Sequence, residues 1–105
     1  MKTEGQKQSQ KHEKRIAKLV GGKPTPASGA FWSNKGDVRS DDLLVEHKWT
    51  GKLSVTIQSK VLKKITREAI LEGRQPVLGL HLDGENYVVL LEDDYLEMRD
   101  RLKDA

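Results

Sequence analysis

The run Leu43-Leu44-Val45-Glu46-His47-Lys48 constrains this chain more than any other stretch. It has the length of a strand, opens apolar and closes on charge. Ser40, Asp41 and Asp42 precede it as turn formers, with Val38 beyond them. The pattern predicts a β-hairpin with Val38 on one arm and Leu43 to Lys48 on the other. Side chains alternate along a strand, so Leu44, Glu46 and Lys48 share one face, and Val45 and His47 take the other. A carboxylate and an ammonium therefore stand two positions apart on one face. Asp37, on the first arm, is placed to bring a second carboxylate alongside. Two carboxylates beside a lysine suit a hard divalent cation and the activation of water against a phosphodiester.

A hairpin alone is marginal in water and needs further strands or a helix against it. With 105 residues the chain has room for one such domain. Hydrophobic residues make up 35% and charged residues 33%, so the core is lean and a partner subunit would add to it. The absence of cysteine excludes disulfides and thiolate zinc sites and fits a reducing compartment. No apolar run approaches the roughly 18 residues that span a bilayer. The polar, basic start does not read as a secretory signal. The expectation is a cytoplasmic protein without a membrane partner.

Charge is uneven along the chain. Lys2, Lys7, Lys11, Lys14, Arg15, Lys18 and Lys23 crowd the first part, against only Glu4 and Glu13. From Glu92 onward the chain is acidic. A basic arm on a small domain points to a polyanion, most often nucleic acid, although such a tail can simply keep a protein soluble.

Residues 1–8 lack apolar periodicity and read as a flexible basic arm, leaving 9–105 as the single domain. A first helix is predicted from about Ser9 to Val20, stopped by Gly21-Gly22 and Pro24. Glu13 precedes Ile16, Ala17 and Val20 by helical spacings and so shares their buried face. It either favours the helix dipole or turns inward toward the hairpin's acids. Lys23 to Lys35 reads as a loop, holding Phe31 and Trp32, which either close the edge of the core or meet a partner or unstacked bases. Gly36 permits close backbone approach just before Asp37.

After a turn at Trp49 to Lys52, the alternation of Leu53 to Ile57 predicts a half-buried third strand. A second helix follows from Gln58 or Ser59 to Glu72, ending at Gly73, with Val61, Leu62, Ile65 and Ala69 as its apolar stripe. Lys60, Lys63, Lys64 and Arg67 cover its outside, as a solvated face or as a track for phosphates. Pro76 to Leu82 and Tyr87 to Leu91 read as strands joined at Asp83-Gly84, both buried on two faces. A last helix runs to about Lys103, with Glu92, Asp93 and Asp94 as capping and first-turn acids and Leu96 and Leu102 as anchors. The fold class is α/β, with a mixed five-stranded sheet flanked by helices. No two histidines have metal-site spacing, and His47 points away from the Glu46 face.

Gly36-Asp37 followed by Glu46-His47-Lys48, in this order of elements, resembles the PD-(D/E)xK nuclease superfamily, whose restriction-endonuclease-like core is a helix, a three-strand meander, a helix and further strands. Within it the chain is most similar to the archaeal and phage-type Holliday-junction resolvases. The resemblance covers Glu13 to Leu91. It includes Ser33 four residues before Asp37, Glu46 through Thr50, and Gly73-Arg74-Gln75-Pro76-Val77-Leu78 before the fourth strand.

The resemblance implies that Asp37, Glu46 and the backbone carbonyl of His47 hold Mg²⁺ or Mn²⁺, with Glu13 completing the site. Lys48 would orient or help deprotonate the attacking water, and Ser33 would lie in a loop near the scissile phosphate. The spacing from Asp37 to Glu46 is shorter than in many members, and Asp41 or Asp42 is the alternative second carboxylate. Lys2, Lys7, Lys11, Lys14, Arg15, Lys35, Lys60, Lys63 and Lys64 would meet DNA, a four-way junction held by a two-fold homodimer. The expected activity is metal-dependent, structure-selective cleavage by paired nicking. The alternatives are a phage or restriction-type nuclease acting on duplex DNA, and a non-catalytic DNA-binding module.

Overall fold

The computed structural model describes residues 3–24 and 37–105, with Asp37 described by its backbone alone. Three helices and five strands follow one another as α1 (Glu4–Val20), β1 (Lys23–Pro24), β2 (Asp37–Arg39), β3 (Leu43–Trp49), α2 (Ser59–Leu71), β4 (Gln75–Leu82), β5 (Glu85–Val89) and α3 (Glu92–Asp104). The strands form one mixed sheet in sequence order. β2 lies antiparallel between β1 and β3, β3 and β4 run parallel across α2, and β5 returns antiparallel. The expected α/β class with a five-stranded mixed sheet is therefore present.

Two cores lie back to back on this sheet. α1 packs on β1, β2 and β3, where Ile16 and Ala17 join Val38, Val45 and Val77. α2 packs on β4 and β3, burying Ile65 and Ala69 on the side of Leu44, Leu78 and Leu80. The alternation of β3 separates them, with odd positions toward α1 and even positions toward α2.

Local chemistry sets the element ends. The hairpin turn is tied by Ser40, whose Oγ donates to Asp42 Oδ1 at 2.9 Å and accepts from the Leu43 N–H at 3.0 Å. Gly21 closes α1 in the left-handed region at φ 68°, as the Gly-Gly pair predicts. Gly22 then passes so close to the hairpin that a Cβ there would lie 2.5 Å from the Arg39 carbonyl oxygen. Asp83 and Gly84, at φ 49° and 79°, make the tight turn between β4 and β5.

Five expectations need correction. α1 begins at Glu4 rather than near Ser9, because Thr3 and Gln6 form a reciprocal capping box that starts the helix earlier, despite Gly5 in its first turn. Leu53 to Ile57 is not a strand: the segment pairs with no strand of the sheet, and Leu53 is 79% exposed. The fifth strand is instead Lys23–Pro24, inside the expected loop. β5 is the sheet's edge and largely exposed rather than central, and Leu96 and Leu102 of α3 are exposed rather than buried anchors.

Candidate active site

The hairpin register places position 37 directly opposite position 46, with Val38 opposite Val45 and Arg39 opposite Leu44. The short spacing between the two positions thus closes in the backbone register of the hairpin. On β3's other side, Glu46 is in register with Leu78 and Lys48 with Leu80.

Glu46 sits half-buried on the α2 side of the sheet. Its Oε2 is buried and has no hydrogen-bond partner among the described residues. Burial raises its pKa above the usual carboxylate value; Lys64 and then Lys48 oppose that rise, and Glu68 reinforces it. Lys64 is thus the strongest cationic influence on Glu46, ahead of Lys48, the residue that sequence reasoning singled out. Helix spacing alone puts Lys64 among four interchangeable surface cations. Only the packing of α2 on β3 and β4 turns it toward the strand's acid, and Lys64 Nζ also lies 3.9 Å from Glu68 Oε1.

His47 points to the α1 side, as the alternation predicts. Its ring stacks on His12 with centroids 4.8 Å apart, and His12 meets the His81 ring at 4.4 Å. Both nitrogens of His47 are buried without partners, and the residue is 5% exposed. Burial first, then the neighbouring His12, Arg15 and His81 charges, push its pKa down to about 4. His12 is lowered as well, again chiefly by burial. His12 Nδ1 accepts from Arg15 Nε at 3.3 Å, and His81 Nδ1 lies 2.7 Å from Asn86 Oδ1. Gly79 makes room for this group, since a Cβ there would lie 3.0 Å from His47 Cδ2. Sequence reading missed the stack, because three histidines separated by 34 or more residues carry no local signal.

Glu13 is buried on α1, beside His12. Its helix therefore lies on the His47 side of the sheet, while the Glu46 carboxylate lies on the α2 side. Asp41 and Asp42 fall in the turn, and Asp42 is engaged by Ser40. Lys7, Lys11, Lys14 and Lys18 form an exposed stripe on α1, with Arg15 half-buried. Lys60, Lys63, Lys64 and Arg67 line the outside of α2. The two basic faces thus belong to opposite sides of the sheet, and only the α2 face adjoins Glu46. Ser33, Phe31, Trp32, Lys2, Lys35 and Gly36 lie outside the described residues.

Glu72, at the end of α2, ties the hairpin to that helix. Arg39 donates to both of its oxygens, at 2.8 and 3.0 Å, and Arg74 donates to Oε1 at 2.6 Å and to the Ser40 carbonyl at 2.7 Å. The Arg39 hydrogen bonds hold Glu72 below the usual carboxylate pKa. This brace fixes the strand that carries Asp37 relative to α2.

No group of three or more histidine or acidic side chains is gathered for a metal among the described residues. A magnesium site needs few protein oxygens, because the ion keeps several waters. A buried, unpartnered carboxylate oxygen on a residue whose backbone register partner is a second acidic position fits such a cation. No helix among the described residues is long and apolar enough to cross a membrane. No protein-family model, curated protein or solved structure matches the chain.

Proposed function

We propose that the chain is a metal-dependent DNA endonuclease of the PD-(D/E)xK type, cutting branched DNA such as a Holliday junction. The observation that carries this reading is the pairing of position 37 with half-buried Glu46, whose Oε2 is buried without a partner. Lys48 follows two residues on, on the same face. The helix, three-strand meander, helix and further strands occur in the order that the resemblance implies.

Asp37, Glu46 and the His47 carbonyl would hold Mg²⁺ or Mn²⁺. When bound, the ion supplies positive charge that offsets the charge building on the phosphate and makes an attacking water more acidic. Glu46 gains the counter-charge that its burial demands. Lys48 would orient the water and stabilise phosphate oxygens, and Lys64 adds a second cation on the same side. The exposed lysines of α2 would carry the phosphate backbone past the site, which makes binding fall with salt. A two-fold dimer would set two such sites on opposite strands of a junction. Glu13 enters this reading only if it reaches around the sheet edge, so its role ranks below those of Asp37, Glu46 and Lys48.

The deciding experiment incubates the purified chain and Mg²⁺ with a labelled four-way junction and a linear duplex of matched sequence. Paired symmetrical nicks in the junction alone support the proposal. Cutting of both substrates shifts it to a duplex nuclease. Binding without cutting leaves a DNA-binding module.

A further inference from the structure

α1 closes the layer over β1, β2 and β3, and beyond its flank β4 and β5 continue the same face. A cavity of about 290 Å³ opens there, between α1, the sheet and Met98 of α3. Its walls are apolar: Ile16, Val45, Val77 and Leu90 line it beside Met98. The strand register sets His47, Gly79 and Val88 in one row at one end, and Leu43 beside Gln75 at the other. A Cβ at Gly79 would lie 3.0 Å from His47 Cδ2 and 3.4 Å from Ile16 Cδ1, so a larger residue would crowd the first end.

Two polar groups mark that end. His47 lines the cavity at 5% exposure, and neither of its ring nitrogens has a hydrogen-bond partner. A neutral imidazole offers one N–H donor and one acceptor, and leaving both unmet in the interior is costly. Arg15 reaches the same cavity from α1. Its Nε donates to His12, which stacks on His47, and no acidic side chain pairs with it among the described residues. That leaves the two terminal nitrogens of the guanidinium, a planar fork that matches a carboxylate. The rest of the wall is hydrocarbon.

Size limits what can enter. An apolar cavity of about 150 Å³ holds benzene, so this one holds roughly ten to twelve non-hydrogen atoms. The His47 row lies four residues from the Leu43 row, about 13 Å at roughly 3.3 Å per residue. We propose that this cavity binds a medium-chain carboxylate, with its head on Arg15 and His47 and its chain running toward Leu43 and Met98. A cationic head would meet the Arg15 charge, and an uncharged one would leave that charge without a partner. The site lies on the opposite side of the sheet from the Glu46 carboxylate, so it stands whether or not the chain cuts DNA.

Octanoate is the probe, with octanol and octylammonium as the same body under a neutral and a cationic head. Calorimetric titration of the full chain is expected to give a Kd for octanoate below about 1 mM. Octanol and octylammonium are each expected to bind about tenfold more weakly or worse. Arg15→Gln is expected to weaken octanoate about tenfold while leaving octanol within about twofold. Val88→Trp places a larger side chain at a position 65% exposed, fills the mouth, and is expected to weaken both ligands about tenfold. Circular dichroism checks that both variants are folded, and amide NMR shifts on adding octanoate are expected at Gly79 and Val88. Four results overturn the proposal: no saturable octanoate binding, octanol or octylammonium bound as tightly as octanoate, wild-type affinity in Val88→Trp, or amide shifts confined to the lysine-rich face of α2. None of these readouts involves DNA or Mg²⁺, so their failure leaves the hydrolytic reading untouched, and the reverse also holds.

Discussion

The two sides of β3 are one residue apart in sequence and belong to different environments. Val45 and His47 enter a closed layer under α1, where even the imidazoles are stacked and kept neutral by burial. Glu46 and Lys48 enter a half-open layer beside α2, where a carboxylate is desolvated without being satisfied. Both sides leave buried polar atoms unpartnered, two imidazole nitrogens of His47 on one and a Glu46 oxygen on the other, but burial holds the imidazole neutral, whereas a carboxylate left charged needs a counter-charge. An unsatisfied buried acid is what a binding site looks like before its ligand arrives.

The largest expected effect separates the sides by chemistry. Glu46→Gln and Lys48→Ala are each expected to cut junction cleavage by at least about 10²–10³-fold while leaving junction binding and the unfolding midpoint largely intact. Cleavage at wild-type rates in either variant, read on a denaturing gel, removes the hydrolytic reading. Manganese is further expected to raise the melting temperature of the wild-type chain but not of Glu46→Gln, a comparison that needs no substrate.

The next effect concerns packing beside that acid. Leu78, the register partner of Glu46, is 1% exposed, so Leu78→Ala is expected to cost about 2–5 kcal/mol in denaturant unfolding. Leu53→Ala, outside both cores, is expected to be nearly neutral. Equal costs would mean that the α2 side is not closed around Leu78.

Acid sharpens the contrast, because the two sides answer it with opposite sign. His47 has a folded pKa of about 4 against 6.5 unfolded, so the unfolded chain binds the extra proton between those values. Its contribution is complete above pH 6.5 and is lost as pH falls toward 4, roughly 3 kcal/mol in all at about 1.4 kcal/mol per unit. Glu46 is raised when folded, so its protonation stabilises the fold as pH drops through its folded value. Unfolding free energies between pH 7 and 4 are expected to fall in the wild-type chain. They should fall more steeply in Glu46→Gln, which lacks the compensating proton, once its own neutral-pH stability is subtracted. A flat profile would show that the histidine layer is open to water.

The smallest effect tests the brace. Glu72→Ala removes the carboxylate that Arg39 and Arg74 share at a partly exposed site and is expected to cost no more than about 1 kcal/mol. If cleavage falls in this variant more than stability does, the brace serves to hold Asp37's strand in place.

What could be read from residues alone follows the same division. The hairpin, the bounds of α2 and the Asp83-Gly84 turn rest on local rules, and each was legible to within a residue or two. The even-and-odd assignment of Glu46 and His47 needed only the strand's alternation. Leu53 to Ile57 alternates as a strand does, yet pairing requires an edge elsewhere in the fold, which no local pattern contains. The burial of β5 was misread for a related reason: an apolar run looks alike in the middle of a sheet and at its edge. At the site, the Asp37–Glu46 pairing was readable as a hairpin, whereas Lys64 and the histidine stack depend on contacts between distant segments.

Gly22 has a consequence for the site that its position conceals. Because the chain leaves α1 pressed against the Arg39–Ser40 backbone, the point where that helix stops determines where the hairpin's first arm rests. An alanine at position 22 would push that arm away and slide Asp37 out of step with Glu46. The alignment of the two acids is thus inherited from a glycine with no chemistry of its own, fifteen residues upstream of the nearer one.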